Sequence, residues 1–582
     1  MKSFLKNILA TIIGIISSII VMILLIIGFV AIISSKDEVK VKENSILKID
    51  LANTSVVERS SENPFDGLSL SGDVASTIEL KQVLDNIEKA KNDNKIKAIY
   101  INTSFVNAGL SQIEEIRNKL VEFKSCGKPI IAYSEVYSQS GYYFSSVADK
   151  IYLNPEGIVE LNGLSAGIMF YKGLLEKLDI EVQIIRHGKF KSAVEPFMLD
   201  KMSDANREQM QLLLNSFADN LFDSIASQRG MTLSDIHNHA NNLSLENAKS
   251  CLDLHYVDAL LYQDQVDDSL LVISKSEKLN FISLNKYSNV KVEKKEISRN
   301  KIAIIYATGE INSGKGDVKS IGSETTAKAI KTAREDKNVK AIVLRVNSPG
   351  GSALASDVIW RETVLAKEEK PLIVSMGDYA ASGGYYIACA ADSIVANPTT
   401  LTGSIGVFGM IPNLQKLYKN KLGISIDTVN TNKHADMGMN RALTKFEENK
   451  IQKSVVDIYT TFITHVGEGR NMSTTAVDKI GQGRVWTGYD AKYIGLIDTY
   501  GGLEKAVEIA VYLAKIEDYR IISLPKKKDP FAELALKFGG ETSISDLVML
   551  KLGLKTELTN PIENLLKRDK IQARIPFIME LK

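Results

Sequence analysis

An internal repeat constrains this chain more than any single motif, because short runs recur at one nearly constant separation of 243 residues. Chance matches would not share one separation, so the chain is expected to hold two copies of one domain. We predict that the copies span residues 45–290 and 300–525, joined by the charged stretch 291–296, which has no apolar period. The matching runs are 97–99 with 340–342, 141–143 with 384–386, 148–149 with 391–392, 154–155 with 397–398, and 248–249 with 491–492.

Within each copy, β-rich runs alternate with helical patterns. Three runs in the second copy are predicted to be strands: 301–305, 341–346 and 372–376. Four apolar residues of the first copy follow the i, i+3, i+4, i+7 spacing of a helix: Leu80, Val83, Leu84 and Ile87. Such alternation favours βαβ units and a mostly parallel sheet, whose reactive groups gather in loops beyond the strand ends. The predicted fold class is therefore α/β, duplicated in tandem.

The first residues of the chain predict a membrane anchor. Residues 8–33 carry no charge, and a helix of that length at about 1.5 Å per residue exceeds the roughly 30 Å hydrocarbon core of a bilayer. The run is longer than the apolar part of a cleavable signal peptide and has no small-x-small cleavage site. Lys2 and Lys6 precede it without any acid, so the N-terminus is expected to stay cytoplasmic. We predict that residues 1–35 form one retained transmembrane helix.

Charge and cysteine content exclude several classes of protein. The 71 Lys and Arg residues balance 70 Asp and Glu residues, so no surplus charge favours nucleic acid as a partner. The three cysteines, Cys126, Cys251 and Cys389, are odd in number and widely spaced, which excludes a disulfide framework and any CxxC site. No metal site and no cofactor are expected.

Positions where only one copy keeps a chemically useful residue are informative. Ser382 follows a predicted strand and opens a helical pattern, whereas its counterpart in the first copy is Gln139, which cannot be a nucleophile. The loop 347–351 ends in two glycines and can expose backbone N–H groups, whereas the counterpart of Gly351 is Ala108. The second copy is therefore expected to carry the nucleophile.

The first copy shows the reverse asymmetry at Lys191, whose counterpart is Ala435. A serine hydroxyl is a weak nucleophile at neutral pH and needs a base, and a lysine can serve if burial keeps it neutral. One site divided between two copies would explain why both copies were kept.

Four runs, 191–197, 347–351, 381–386 and 401–407, together resemble the long, duplicated form of the signal peptide peptidase A family, also called protease IV. The resemblance covers nearly the whole chain. It implies that each copy has a crotonase/ClpP-like fold and that the protein is a homotetramer. It also implies a single-pass protein of the bacterial inner membrane with its bulk on the periplasmic side.

The resemblance further implies a serine endopeptidase that degrades released signal peptides and other apolar peptides. Carried over by position, Ser382 is the nucleophile and Lys191 the general base. Ser404 would orient the lysine, and the backbone N–H groups of Gly383 and Gly351 would form the oxyanion hole.

Plainer interpretations remain open at these positions. Ser382 could be an ordinary helix N-cap, and a lone lysine such as Lys191 is usually solvated. Gly350 could replace Gly351 as the donor. A histidine base would require His434 or His465 to reach the serine.

Two other functions compete with a peptidase. The fold and the glycine loop also suit a crotonase-like acyl-CoA enzyme, although an outer-face location offers little CoA. Because one copy has already lost its serine, a catalytically inactive membrane scaffold is the other alternative. The extension 526–582 has no predicted role.

Overall fold

The computed structural model describes residues 6–7, 10–18, 20–21, 39–60, 76–290, 298–527 and 571–575. The predicted linker and much of the predicted anchor lie outside these residues. Among the described residues, no helix has both the length and the apolar character needed to cross a membrane. The predicted transmembrane helix therefore stays a prediction.

The first copy consists of short strands and helices that alternate along the chain. Its strands are β1 (Ser45–Ile49), β2 (Thr54–Val57), β3 (Ser76–Glu79), β4 (Ile96–Ile101), β5 (Ile130–Tyr137), β6 (Lys150–Val159), β7 (Glu181–Arg186), β8 (Ala259–Leu260) and β9 (Asn280–Ser283). Its helices are α1 (Leu80–Asn92), α2 (Leu110–Phe123), α3 (Gln139–Ser145), α4 (Lys172–Lys177), α5 (Glu195–Met198), α6 (Asp204–Arg229), α7 (Leu233–Asn241), α8 (Ala248–Asp253), α9 (Gln263–Ser274) and α10 (Leu284–Ser288), with 3₁₀ turns at Lys124–Cys126 and Ser192–Val194.

The second copy repeats this alternation. Its strands are β10 (Lys301–Thr308), β11 (Glu310–Asn312), β12 (Ser320–Gly322), β13 (Val339–Ser348), β14 (Gly350–Ser352), β15 (Leu372–Ala381), β16 (Ser393–Ala396), β17 (Leu401–Gly403), β18 (Phe408–Asn413), β19 (Val485–Thr487), β20 (Thr499–Tyr500) and β21 (Arg520–Leu524), followed by β22 (Ile571–Arg574) in the C-terminal extension. Its helices are α11 (Ser323–Glu335), α12 (Ala353–Glu369), α13 (Gly383–Ala388), α14 (Lys445–Arg470), α15 (Thr474–Ile480), α16 (Gly488–Tyr493) and α17 (Leu503–Ala514), with a π turn at Leu417–Lys421.

The two copies build main sheets with the same strand order. The first sheet runs β8-β6-β5-β4-β1-β9, and the second contains the corresponding path β20-β16-β15-β13-β10-β21. The pairings along both paths are parallel. The second sheet also extends from β15 through β17 to β19. The predicted α/β fold in two copies is confirmed.

Burial on both faces explains why these strands read as apolar runs. In β1, Leu47 and Ile49 pack into a cluster on one face, whereas Ile46 packs into a cluster on the other. The helix predicted from the spacing of its apolar residues is α1, and all four of those residues are buried. The three predicted strands of the second copy are β10, β13 and β15.

A third sheet joins the two copies, and it was not predicted from the sequence. Its order is β12-β11-β14-β22-β18-β7. Strand β7 comes from the first copy and pairs antiparallel with β18 of the second, while β22 comes from the extension. This sheet brings the segment after β7 beside the end of β15.

Candidate active site

Ser382 lies in a sharp turn between β15 and α13. Its backbone has φ 57° and ψ −113°, a conformation that costs a non-glycine residue on the order of 1–3 kcal/mol. The turn is held because the Ser382 N–H donates to the Gly403 carbonyl at 2.7 Å and the Tyr386 N–H donates to the Ser382 carbonyl at 2.8 Å. The side chain makes no hydrogen bond to the helix it precedes, so Ser382 does not act as a side-chain N-cap.

Lys191 reaches this hydroxyl from the first copy. Its Nζ lies 2.8 Å from Ser382 Oγ, 3.0 Å from Ser404 Oγ and 3.1 Å from the Ser404 carbonyl oxygen. The lysine is 0% exposed, which excludes the alternative that Lys191 is a solvated surface lysine. Burial lowers its pKa well below the usual value, because desolvation disfavours the charged form.

Glycine at position 483 makes room for the lysine backbone. A Cβ on Gly483, whose φ is 83°, would lie 2.6 Å from the Lys191 nitrogen. The Gly483 N–H donates to the Ile405 carbonyl at 2.7 Å, and the Phe190 N–H donates to the Gln482 carbonyl at 3.0 Å. Backbone contacts between the copies thereby fix the position from which the lysine side chain extends.

Ser404 also adopts a left-handed conformation, with φ 51°. Its N–H donates to the Arg484 carbonyl at 2.7 Å, and its hydroxyl lies 3.4 Å from the Gly483 carbonyl. A neutral amine that donates both hydrogens to Ser404 keeps its lone pair for a third partner. The third neighbour of Lys191 Nζ is the Ser382 hydroxyl, so the geometry suits proton transfer from serine to lysine.

Gly351 and Gly383 lie side by side next to the serine. A Cβ on Gly383 would lie 3.1 Å from the Gly351 nitrogen, and a Cβ on Gly351 would lie 2.1 Å from the Ile311 carbonyl oxygen. The alternative donor, Gly350, already donates its N–H to Ser348 Oγ at 3.2 Å. The engagement of the Gly350 N–H therefore favours Gly351 over Gly350 as the donor.

A buried ion cluster supports the strand that leads to this loop. Arg345 on β13 donates to both carboxylate oxygens of Glu58 at 2.8 Å and to Glu115 at 2.7 Å. Both acids belong to the first copy, and burial raises the pKa of Glu115. This cluster has no signature in the sequence, since its charged residues lie far apart in the chain and form no local pattern.

A second contact between the copies is made by Asp378, four residues before Ser382. The Asp378 carboxylate accepts hydrogen bonds from the Ser111 N–H at 2.9 Å and the Gln112 N–H at 3.4 Å, in the first turn of α2. Gly109 precedes that helix, and a Cβ there would lie 2.1 Å from the same carboxylate. Burial raises the pKa of Asp378 to about 6.

The two histidines considered as alternative bases have other partners. His434 Nδ1 lies 2.7 Å from Glu447, and the His465 ring stacks on Trp360 with centroids 3.4 Å apart. The contacts of Ser382 Oγ are Lys191 and, at 3.4 Å, the Gly406 carbonyl. Within the described ranges, no group of three or more His, Cys, Asp or Glu residues could hold a metal ion.

Comparison with known proteins agrees with a peptidase. Protease 4 of Salmonella typhi is 38% identical over 463 residues, which cover 78% of this chain and 74% of that protein. The chloroplastic serine protease SPPA of Arabidopsis thaliana is 34% identical over 515 residues, 87% of this chain and 75% of that protein. A putative signal peptide peptidase SppA of Enterococcus faecium is 37% identical over 205 residues, 35% of this chain and 59% of that protein. The protein is a serine peptidase.

The family follows from the same comparison. Residues 122–275 and 365–517 each match Peptidase family S49, one match in each copy. This chain belongs to peptidase family S49, which confirms the family that the motifs resembled.

Two solved structures are similar over a smaller part of the chain. A ClpP1 mutant from Listeria monocytogenes aligns with 35% of this chain and 94% of its own, at 16% identity and a TM-score of 0.24. A mutant of the 1510-N membrane-bound stomatin-specific protease, in complex with a substrate peptide, aligns with 41% of this chain and 100% of its own, at 16% identity and a TM-score of 0.27.

Proposed function

We propose that this serine peptidase cleaves peptide bonds with a dyad of Ser382 and Lys191, one residue from each copy. The observation that carries the proposal is the 2.8 Å contact between Lys191 Nζ and Ser382 Oγ at a completely buried lysine. Because burial keeps the amine neutral, it accepts the hydroxyl proton as Ser382 attacks the carbonyl carbon. The protonated lysine then gives that proton to the leaving amine.

Deacylation uses the same pair. Lys191 takes a proton from a water molecule that attacks the acyl-serine ester, and returns it to Ser382 Oγ as the ester bond breaks. Ser404 orients the lysine through its hydroxyl and its carbonyl, so that the lone pair of the amine points at the serine. No cofactor takes part in either half of this cycle.

The oxyanion of each tetrahedral intermediate is stabilised by the N–H groups of Gly383 and Gly351. Their adjacency, and the engagement of the Gly350 N–H with Ser348, support this assignment. Losing one such donor typically costs about 2.7–4 kcal/mol of transition-state stabilisation.

We infer that the substrates are released signal peptides and other apolar peptides. Apolar side chains next to the serine support this inference, because extended apolar peptides need apolar pockets. Those side chains form one buried cluster: Met210, Leu213 and Phe217 of the first copy with Ala381, Leu401 and Val485 of the second and Ile575 of the C-terminal extension. The name of the Enterococcus faecium relative points to the same substrates.

The setting inferred for this activity follows the family resemblance. We propose a homotetramer of crotonase/ClpP-like copies bounded at 45–290 and 300–525, anchored by residues 1–35 in the bacterial inner membrane with its bulk on the periplasmic side. The uncharged run of residues 8–33 supports the anchor.

A cleavage assay tests the proposed function. Purified protein in detergent is given two fluorogenic peptides of equal length, one with aliphatic residues and one with acidic residues around the cleaved bond. We expect the aliphatic peptide to be cleaved with at least tenfold higher kcat/KM, and the Ser382→Ala variant to cleave neither. Equal rates on both peptides would contradict the apolar substrate class, and a fully active Ser382→Ala variant would contradict the nucleophile.

A further inference from the structure

Lys191 lies at the centre of a tight turn. The Ser192 N–H donates to the Phe190 carbonyl at 2.8 Å, and the lysine backbone has φ −75° and ψ 78°. These values are those of an inverse γ-turn. A turn this short does not by itself fix where the lysine side chain extends, so its direction depends on what holds the chain before and after it.

The chain before the lysine is held by the second copy. The Arg484 guanidinium lies between two aromatic rings, 4.8 Å from the centroid of Phe190 and 4.6 Å from the centroid of Trp486. The Arg484 carbonyl also accepts the Ser404 N–H at 2.7 Å. One residue of the second copy thus contacts both Phe190 and Ser404, the residue that orients the amine.

The chain after the lysine is held by the carboxylate of Glu195, which is 1% exposed. Its Oε1 accepts the Ser203 hydroxyl at 2.6 Å, and its Oε2 accepts the Ser203 N–H at 3.1 Å and the Asn206 side-chain amide at 3.0 Å. Arg186 Nη1 lies 3.8 Å from Oε1. A carboxylate is buried at low cost only where hydrogen bonds and a cation compensate its charge, and Glu195 has both.

This carboxylate connects the lysine turn to the N-terminus of α6. Ser203 is the N-cap of that helix, and its hydroxyl accepts the Asn206 N–H at 3.2 Å while it donates to Glu195. A negative charge at a helix N-terminus is favoured by the free N–H groups and by the helix dipole. Because α6 has 26 residues, Glu195 links a turn of three residues to a long element of the first copy.

The same helix reaches the second copy one turn further along. Gln209 Oε1 accepts the Val485 N–H at 2.8 Å. Val485 directly follows the residue whose carbonyl accepts the Ser404 N–H. The contacts therefore form a closed path, from Glu195 along α6 to Gln209, across to β19, and back to the lysine through Ser404.

We propose that Glu195 is a positioning residue for the general base: its carboxylate holds the turn that carries Lys191, so that the amine lies within reach of Ser382. The proposal rests on the proposed function, since it takes the lysine to be the base. The hydrogen bonds of the carboxylate go to α6 and not to the lysine amine, so Glu195 acts through the position of the turn.

Position, rather than charge, is the means by which Glu195 acts. Burial lowers the pKa of Lys191, whereas a carboxylate close to the amine would raise it. Loss of the Glu195 charge by itself would therefore not make the lysine more basic. A turn that moved would let water reach the amine, and hydration would raise the pKa of Lys191.

Glu195→Gln tests the positioning role. It keeps the volume of the side chain but replaces one oxygen by an NH₂ group, which cannot accept the hydrogen bonds that α6 donates. For an aliphatic peptide we expect kcat to fall about 10- to 100-fold with KM within twofold of the wild-type value. We also expect the acidic limb of the kcat/KM profile to move to higher pH by about half a unit or more. A merely structural role would lower the yield of active protein and leave that limb in place.

Asp235→Asn is the matched control. The Asp235 carboxylate accepts the N–H and the hydroxyl of Thr232 at 3.0 Å and 2.6 Å at the N-terminus of α7, as Glu195 does with Ser203 at α6. Asp235 is exposed and lies outside the lysine turn. Its variant should keep kcat within twofold and leave the pH profile unchanged.

Asn206→Ala is the milder variant, and it keeps the proposal testable if Glu195→Gln does not fold. It removes one donor to the carboxylate and leaves both donors of Ser203. We expect kcat to fall about 3- to 10-fold, with the acidic limb displaced in the same direction. Wild-type kcat and a wild-type pH profile in Asn206→Ala and Glu195→Gln would overturn the positioning role.

Labelling of Ser382 by a fluorophosphonate shows whether Glu195 acts through the lysine. The rate is measured for the wild type, Glu195→Gln, Lys191→Met and the double variant. We expect each single variant to be labelled at least tenfold more slowly than the wild type. The double variant should be labelled no more slowly than Lys191→Met, because a positioning residue has no effect once the group it positions is gone. A double variant that is slower still would overturn the proposal.

The same rates separate this proposal from the proposed function. If Lys191→Met is labelled slowly and Glu195→Gln is labelled at the wild-type rate, the positioning role is wrong and the dyad stands. If Lys191→Met is labelled at the wild-type rate, the lysine is not the base, and the positioning role is overturned with it.

Discussion

Arg345 and Glu58 form a two-bond ion pair at the boundary between the copies, with both distances at 2.8 Å and both side chains almost completely buried. The arginine belongs to the strand that leads into the glycine loop, and the glutamate belongs to the other copy. The loop that would bind the oxyanion is thus held from the copy that supplies the lysine.

The first prediction concerns this pair. Arg345→Met leaves Glu58 and Glu115 buried without a cation, so we expect it to lower the free energy of unfolding by about 3–5 kcal/mol. Urea unfolding followed by circular dichroism measures the change. Adding Glu58→Gln to the arginine variant should restore part of the loss.

A surface pair provides the control for that experiment. Arg334 pairs with Glu369 at 2.5 Å, and the glutamate side chain is 49% exposed. Arg334→Met should therefore cost no more than about 1 kcal/mol. An Arg345→Met variant as stable as Arg334→Met would contradict a supporting role for the buried cluster.

The second prediction concerns pH and Lys191. Its pKa is lowered in the folded protein, so the unfolded chain binds a proton that the folded chain does not, from the folded pKa up to the unfolded value of about 10.4. The stability of the wild type should rise with pH across that window. Lys191→Met has no ionisable group at this position. As the pH increases, the melting temperature of the wild type should therefore rise relative to that of Lys191→Met.

The matched control for the lysine is Lys201→Met, at an exposed position with no role in the site. The melting temperature of this variant should stay close to that of the wild type. The same linkage predicts that kcat falls at low pH, where Lys191 becomes protonated and can no longer accept the serine proton. A flat stability difference for Lys191→Met would show that the lysine is charged in the folded protein.

The third prediction separates Ser404 from its neighbours. Ser404→Ala removes one hydroxyl contact to Lys191 and leaves the carbonyl contact, so the lysine is less well oriented. We expect kcat to fall about 10- to 100-fold with KM unchanged, which steady-state kinetics resolves. Thr402→Ser, which keeps the hydroxyl that donates to the Ala380 carbonyl, should keep wild-type values. An equal loss in both variants would indicate a general packing effect.

The fourth prediction concerns the oxyanion loop. A methyl group at Gly351 would collide with the Ile311 carbonyl, so Gly351→Ala must shift β14 and its N–H. We expect a loss of at least about 100-fold in kcat. Gly423→Ala is the control, because Gly423 also has a positive φ of 68° but has nothing within 4 Å of the added carbon. Retained kcat in Gly351→Ala would shift the donor role to another N–H.

Much of the site could be read from the sequence because duplication left an internal comparison. The contrast between Ser382 and Gln139, and between Lys191 and Ala435, indicated a divided site before any contact was known. The α/β fold followed from the alternation of strand and helix patterns.

The contacts between the two copies could not be predicted from the sequence, because they join residues far apart in the chain and no local pattern indicates them. The pairing of β7 with β18 joins the two copies, and Arg345 meets acids of the other copy in the interior. Residues 571–575 alternate apolar and polar side chains as a strand does, but this pattern does not indicate partners far away in the chain, so their place between β14 and β18 was not predictable.

The most direct test of the dyad is intact-mass detection of an acyl-serine adduct after exposure of detergent-purified protein to a serine-acylating peptide analogue. The wild type, Ser382→Ala and Lys191→Met are compared under the same conditions. The proposed mechanism predicts one adduct on the wild type and none on either variant. An adduct of equal yield on Lys191→Met would contradict the lysine as the base.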